Sequence, residues 1–192
     1  MSSVFKPTSL NKYSNHQITI DTKSKAKNND LMKKIKIFLD ANAISNLDQP
    51  NMAYEMADMK ALWEFMKEGM YEIVISTLVI DELERIPKKD KKELIFDYLN
   101  QIDTEVHDLT DEMKEIANLL LKYNILNEKD YNDAMHIACA MVTGCDCLVS
   151  YNFDDINNIK TIKGVRTISL LQGYGDMDIL TAATLIGKGA TK

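Results

Sequence analysis

The chain has 192 residues, 45% of them hydrophobic and 27% charged, and a formal net charge of −6. This composition is typical of a globular domain large enough to bury a core, and the negative charge argues against broad, sequence-independent nucleic-acid binding. The three cysteines, Cys139, Cys145 and Cys147, do not have the pattern of a disulfide framework. We find neither an apolar run long enough to span a membrane nor a signal peptide, so we expect a cytoplasmic protein without membrane contact.

The domain boundaries follow from changes in composition along the chain. Residues 1–31 are rich in Ser, Asn, Lys and Thr, and such a segment buries too little apolar surface to fold by itself. We therefore expect a flexible polar extension over 1–31 and a folded domain over 32–174. The remaining residues, 175–192, are expected to form a C-terminal helix and tail.

Strand and helix patterns alternate through the expected domain. Apolar and β-branched runs predict strands at 35–39, 71–76, 104–109, 145–150 and 165–169. Helical spacing predicts helices at 52–67, 78–86 with Thr77 as N-cap, 88–102, 111–123 with Thr110 as N-cap, 127–143 and 179–186. This order predicts a three-layer α/β/α fold with a central parallel sheet of about five strands.

Acidic residues recur at the carboxyl ends of these strands, where α/β proteins bind ligands. Asp40 directly follows the first predicted strand, and a carboxylate beside an apolar strand is costly without a compensating partner. The other candidates are Glu82, Asp133, Asn152, Asp154 and Asp155. Carboxylates that share one cleft repel each other unless a hard cation such as Mg²⁺ or Mn²⁺ is bound, and such a cluster suits hydrolysis of a phosphodiester.

Each acid also has a simpler structural interpretation. Asp40 could cap the following helix, Glu82 could pair with Arg85 one turn later, and Asp133 could be an exposed helix acid. His136 lies one turn after Asp133. We interpret it as a packed or hydrogen-bonded histidine, because hard cations prefer oxygen ligands to imidazole.

Four segments resemble motifs of the PIN-domain nucleases, particularly the toxin-like members of the VapC type. They are IFLDANAIS, STLVIDELERIP, DYNDAMHIACA and DCLVSYNFDDI, in the order and spacing of that family. The resemblance extends from about residue 35 to residue 171. It implies a PIN-like α/β fold in which Asp40, Glu82 and Asp133 are the catalytic acids and hold Mg²⁺ or Mn²⁺.

The resemblance also assigns weaker roles to other positions. The fourth acid of the family falls on Asn152, which would coordinate a cation without charge, so Asp154 or Asp155 would have to supply a further carboxylate. Asn42 and Ser150 match positions that orient the acids or a water molecule. A basic run contains Lys88, Lys89, Lys91 and Lys92. Such a run usually forms a solvated face, and the alternative, which rests on its charge alone, is that it steers RNA towards the site.

The implied function is a metal-dependent endoribonuclease that leaves 5′-phosphate and 3′-hydroxyl ends, as in the toxin of a type II toxin–antitoxin system. That role implies RNA as substrate, a small antitoxin protein as partner, and a homodimer. One alternative is a catalytically decayed PIN-fold protein that binds RNA or acts as a scaffold, which the departure at Asn152 would allow. Phosphoaspartate phosphatases and receiver domains are poorer matches, because the former need a second acid at the position of Asn42 and the latter an acidic pair before Asp40.

Overall fold

The computed structural model describes residues 33–189, with side chains through residue 187. The polar extension expected over 1–31 lies outside this range, as do residues 190–192. A compact unit begins at Lys34. Across the described range, none of the helices is both long enough and apolar enough to cross a bilayer.

A parallel sheet forms the centre of the described residues. Its five strands are β1 (Ile35–Leu39), β2 (Tyr71–Ser76), β3 (Thr104–His107), β4 (Cys147–Val149) and β5 (Asp178–Leu180). They lie in the order β3-β2-β1-β4-β5, and every neighbouring pair is parallel. The predicted α/β fold with a parallel sheet of about five strands is therefore confirmed.

Helices flank this sheet and connect its strands. Those of the described range are α1 (Ala41–Ser45), α2 (Ala53–Lys67), α3 (Thr77–Glu84), α4 (Lys89–Leu99), α5 (Asp111–Lys122), α6 (Tyr131–Val142), α7 (Ile159–Gln172) and α8 (Ala182–Gly189). Short 3₁₀ turns at Asn46–Asp48 and Glu128–Asp130 follow α1 and precede α6. The fold thus has the three layers that the sequence predicts.

The hydrophobic core lies on both faces of the central strand. Ile37, Phe38 and Leu39 are consecutive in β1, and all three are fully buried. Consecutive burial, instead of alternating burial, is expected for a parallel strand covered by helices on both sides. The run at 35–39, which is apolar except for Lys36, therefore predicts β1 well.

Three local predictions are wrong. Residues 165–169 lie within α7, which begins where the Asn158 side chain accepts a hydrogen bond from the Thr161 N–H at 3.0 Å. Capping of this kind outweighs the β-branched composition that suggested a strand. The fifth strand is instead Asp178–Leu180, which pairs with β4. The helix predicted at 179–186 is therefore found three residues later, as α8. Helix α3 is capped by Ser76, whose Oγ accepts from the Val79 N–H, and not by Thr77.

The sheet topology determines where a site can form. The chain runs from β1 to β2 and β3 on one side and to β4 and β5 on the other, so the strand order reverses between β1 and β4. Leu39 and Val149, the last residues of these strands, are paired. Asp40 and Ser150 therefore emerge side by side at a topological switch point, where open α/β sheets bind ligands.

A close approach between α7 and the segment after α5 allows a test of this packing. A Cβ at Gly164 would lie 2.6 Å from Cγ1 and 2.7 Å from Cγ2 of Ile125. Overpacking costs roughly 1–3 kcal/mol, whereas Ala gains only about 1 kcal/mol over Gly in a helix. We predict that Gly164→Ala lowers the free energy of unfolding by about 1 kcal/mol in urea denaturation.

The matched control is Gly187→Ala in α8, where an added Cβ meets nothing within 4 Å. This substitution should leave stability unchanged or raise it, because only the helix propensity changes. Equal effects at the two glycines would contradict the packing of α7 against Ile125.

Candidate active site

Asp40 is buried at the carboxyl end of β1 and is 2% exposed. Its Oδ1 accepts a hydrogen bond from the Ala43 N–H at 2.6 Å and so caps α1. Burial raises the pKa of Asp40, although the charge of His136 and the hydrogen bonds from Ser150 and Ala43 act in the opposite direction. Capping and a catalytic role are compatible here, because one carboxylate oxygen serves the helix and further lone pairs remain.

Glu82 projects from α3 and is held by two side chains of α6. Asn132 Nδ2 donates to Glu82 Oε1 at 2.7 Å, and His136 Nε2 lies 2.9 Å from Glu82 Oε2. Burial by itself would raise the pKa of Glu82, but the hydrogen bond and charge of His136, followed by Asn132 and Arg85, outweigh burial and lower it. Glu82 is therefore ionised and held in place. The pairing with Arg85 considered from the sequence is only a weaker electrostatic contribution.

Asp133 lies near the start of α6 and is half-buried. Burial raises its pKa to about 6. The charges of Asp155 and Asp40 add to this increase, whereas His136 and a hydrogen bond from Asn152 oppose it. The charges of Asp40 and Asp155, which follow β1 and β4, thus act on Asp133. Asp133 is therefore not the exposed helix acid of the simpler interpretation.

Carboxylates also gather between the start of α6 and the loop after β4. Within residues 33–187, the carboxylate oxygens of Asp130, Asp133 and Asp155 all lie within 4.8 Å of one another. Asp133 therefore links this group to Asp40, whose charge also raises the Asp133 pKa. The structure brings the predicted acids Asp40, Glu82 and Asp133 around His136, which feels the charge of each.

A family model for the PIN domain matches residues 37–161, well over half of the chain. The chain belongs to the PIN-domain nuclease family. This result confirms the resemblance carried by the four motifs, all of which lie within the matched residues.

Two solved structures are similar to the chain. The chain resembles VapC20 of Mycobacterium tuberculosis, a sarcin–ricin loop cleaving toxin, with 18% identity over 62% of this chain and 91% of that one and a TM-score of 0.48. It also resembles VapBC2 of Rickettsia felis, solved with a DNA fragment from its promoter, with 16% identity over 77% of this chain and 98% of that one and a TM-score of 0.50. Curated protein sequences gave no match.

The loop after β4 carries the departure of this PIN domain from the full family pattern. Asn152 Oδ1 accepts from the Asp155 N–H at 3.1 Å, and the Asn152 amide also donates to Asp133. Asn152 therefore bonds the Asp133 carboxylate and the Asp155 backbone, and its oxygen already accepts one hydrogen bond. Ser150 is fully buried, contacts Asp40, and accepts from the Asn152 N–H at 3.0 Å.

Two predicted site residues of the PIN domain lie apart from this network. Asp154 is exposed, and its backbone carbonyl accepts from Asn158. Its neighbour Asp155, by contrast, belongs to the network, because a carboxylate oxygen of Asp155 lies near one of Asp133. Asn42 is exposed on α1, and its Oδ1 lies 3.5 Å from Asn46 Nδ2.

The four lysines near the start of α4 are engaged to different degrees. Lys89 lies 3.4 Å from Glu93, Lys91 donates to Gln49, and Lys92 donates to Glu84. Lys88 is exposed, and its side chain has no hydrogen bond or ion pair with the residues described. The usual interpretation of such a run, a solvated face with local pairs, thus accounts for three of the four.

Sequence reasoning did not single out Asp130, and it interpreted His136 only as packed or hydrogen-bonded. Asp130 precedes Asp133 by three residues, and Asn132 precedes His136 by four. Both spacings place side chains on one helical face. The spacing could have indicated these pairs, but the partner carboxylate Glu82 lies 50 and 54 positions earlier in the chain and could not be inferred from α6 alone.

The donor set of this PIN domain suits a hard divalent cation. The clustered groups are carboxylate oxygens, which Mg²⁺ and Mn²⁺ prefer. The raised pKa of Asp133 reflects burial and the negative charge of Asp155 and Asp40. A bound cation would offset that repulsion, so the residues present fit such an ion.

The raised pKa of Asp133 predicts a pH-dependent stability in the absence of divalent metal. The folded protein holds this proton more tightly than the unfolded chain, whose Asp titrates near its model value of 3.8. The stabilisation is complete below that value and is lost as pH rises through about 6. Asp133→Asn should therefore become more stable relative to the wild type as pH rises.

The measurement is urea denaturation in EDTA between about pH 4 and about pH 8. Asp154→Asn, at an exposed neighbouring acid, is the control, and its difference from the wild type should stay constant across this range. A pH-independent difference for Asp133→Asn would show that Asp133 is not buried among other carboxylates.

Proposed function

We propose that this PIN domain is a Mg²⁺- or Mn²⁺-dependent endoribonuclease that hydrolyses RNA phosphodiester bonds. The proposal rests on the arrangement of Asp40, Glu82 and Asp133 around His136 at the carboxyl edge of the sheet. These three acids come from three separate elements of the fold. Carboxylates that share one cleft repel each other and are harder to ionise. A site with a purely structural role is therefore not expected to contain several of them.

Asp40, Glu82 and Asp133 would hold the metal, as the family motif implies. Asp155 is the better choice for a fourth carboxylate than Asp154 or Asn152, because its oxygen lies near that of Asp133. The bound cation would lower the pKa of a water molecule and polarise the phosphodiester. Asp130 adds negative charge beside Asp133, on the same side as Asp155.

The protein's own contribution is to hold the acids in place before any substrate arrives. The Ala43 N–H and Ser150 fix Asp40, whereas Asn132 and His136 fix Glu82. Asn152 keeps Asp155 beside Asp133 through its hydrogen bond to the Asp155 N–H. Oriented groups do not have to reorganise during the reaction, and such preorganisation is a major part of electrostatic catalysis.

The substrate side of the proposal rests on charge. The chain is acidic overall, so RNA must be attracted locally, and we assign this steering to Lys88, Lys89, Lys91 and Lys92. Lys88 is the best placed of the four to meet a phosphate, since its side chain is exposed and has no partner among the described residues. The other three would exchange a local partner for RNA.

We further propose that the chain is the toxin of a type II toxin–antitoxin pair. The likeness to VapBC2 of Rickettsia felis, which covers 77% of this chain, supports this role by fold. A small antitoxin protein would be its partner, and the toxin itself would form a homodimer. A small open reading frame beside the gene, whose product co-purifies with this chain and inhibits cleavage, would support the assignment.

The decisive substitutions are Asp40→Asn, Asp155→Asn and Asp154→Asn. With Mn²⁺ or Mg²⁺ and a mixed structured RNA, we expect Asp40→Asn to lower the cleavage rate by about a hundredfold or more, and Asp155→Asn by about tenfold. Asp154→Asn should cleave at the wild-type rate. EDTA should stop cleavage by every variant, because the acids alone do not activate water.

Equal cleavage by the wild type and Asp40→Asn would contradict the proposal and indicate a contaminating nuclease. Binding of RNA by the wild type without cleavage under any metal would instead favour the catalytically decayed PIN-fold protein. Comparison of Asp154→Asn with Asp155→Asn distinguishes a general loss of negative charge from the loss of one specific oxygen ligand.

A further inference from the structure

Two side chains one helical turn apart on α6 converge on a single carboxylate of α3. Asn132 Nδ2 donates to Glu82 Oε1 at 2.7 Å, and His136 Nε2 lies 2.9 Å from Glu82 Oε2. Each oxygen of Glu82 thus has its own partner. The two contacts span 50 and 54 positions of sequence, so the pair joins helices that the chain itself does not hold together.

Among the described residues, Glu82 is the hydrogen-bond partner of the His136 side chain. His136 is 3% exposed, and its Nδ1 is buried without a hydrogen-bond partner among them. Its ring lies near Phe38, with ring centroids 6.2 Å apart. An apolar side chain would pack against Phe38 without leaving a buried nitrogen unsatisfied, which is costly. The hydrogen bond to Glu82 is therefore the directional contact that requires an imidazole nitrogen here.

The bond to His136 restricts a side chain that would otherwise be mobile. Glu82 is only half-buried, and an unrestrained Glu loses considerable rotamer freedom when a ligand fixes it. Hydrogen bonds to both oxygens restrict the Glu82 side chain before a ligand binds. The cost of ordering Glu82 is then met during folding and does not weaken metal binding.

We propose that Asn132 and His136 form a clamp that positions Glu82 for metal binding, without being metal ligands themselves. The inference rests on the proposed function, because it assumes that Glu82 binds the cation. Second-layer residues of this type typically contribute about tenfold to hundredfold in metal affinity. The clamp therefore affects the dissociation constant for metal, whereas the KM for RNA at saturating metal is unchanged.

The test measures Mn²⁺ binding by electron paramagnetic resonance on the purified full chain. We expect His136→Phe, which keeps a ring but loses the donor, to weaken Mn²⁺ binding by about tenfold or more. His136→Gln can place its amide nitrogen near the position of Nε2 and should restore most of the affinity. Asn132→Ala should weaken binding in the same direction, and its exposed position makes misfolding an inadequate explanation.

The chain offers matched controls. His107 also lies 2.9 Å from a glutamate, Glu105, but at the end of β3, so His107→Phe should bind Mn²⁺ as the wild type does. Asn118 is an exposed asparagine on α5, and Asn118→Ala should likewise have no effect. In an E82Q background, His136→Phe should weaken Mn²⁺ binding much less than it does in the wild type, because the contribution of the clamp through Glu82 is already lost.

Each outcome bears on a different claim. Wild-type Mn²⁺ affinity in Asn132→Ala and His136→Phe would overturn the clamp and leave the nuclease proposal standing. Equal losses in His136→Gln and His136→Phe, or a loss in the E82Q background as large as that in the wild type, would also overturn it. Failure of the wild type itself to bind Mn²⁺ would overturn both the proposed function and the clamp.

Discussion

The candidate site depends on keeping several carboxylates close together where water is scarce. Asp40 is 2% exposed, and burial raises its pKa, while burial together with neighbouring acids raises the pKa of Asp133 to about 6. Each negative charge makes the next one harder to form. The fold therefore has to supply compensating groups, and their arrangement explains most of the polar structure at this edge of the sheet.

The compensation comes from donors placed on several elements. His136 is the central one: burial would lower its pKa, but the hydrogen bond and charge of Glu82, with Asp40 and Asp133, raise it. Its positive charge is thereby favoured where the acids meet. Ser150 and the Ala43 N–H add neutral donors to Asp40. These groups balance part of the negative charge, and a divalent cation would neutralise the remaining negative charge.

The strands predicted from sequence and those in the structure differ in an instructive way. The run at 35–39 predicts β1 because consecutive apolar residues such as 37–39 are typical of a parallel strand covered on both faces. The Thr110 cap of α5 is likewise found. The segment 165–169 has strand-like composition, yet a cap at Asn158 and a left-handed Gly173 with φ of 79° bound a helix there. Strand β5 has only three residues, and its identity depends on pairing with β4, which local sequence does not encode.

The site was predictable to the extent that its residues follow strands. Asp40 and the loop after β4 could be placed because a parallel sheet gathers its carboxyl ends. Whether Asp154 or Asp155 faces Asp133 depends on the turn fixed by Asn152, and the sequence left that choice open. The contacts of Asn132 and His136 with Glu82 are tertiary. They depend on how α6 crosses α3, which no local pattern specifies.

The central claim is that this edge of the sheet binds a divalent cation through Asp133 and the acids around it. The most direct test is anomalous diffraction from crystals of the full chain soaked in Mn²⁺. The account predicts a manganese peak in contact with Asp133 and with carboxylate oxygens from Asp40, Glu82 or Asp155. Ordered side chains at this site with no such peak, or a manganese ion bound only elsewhere, would contradict it.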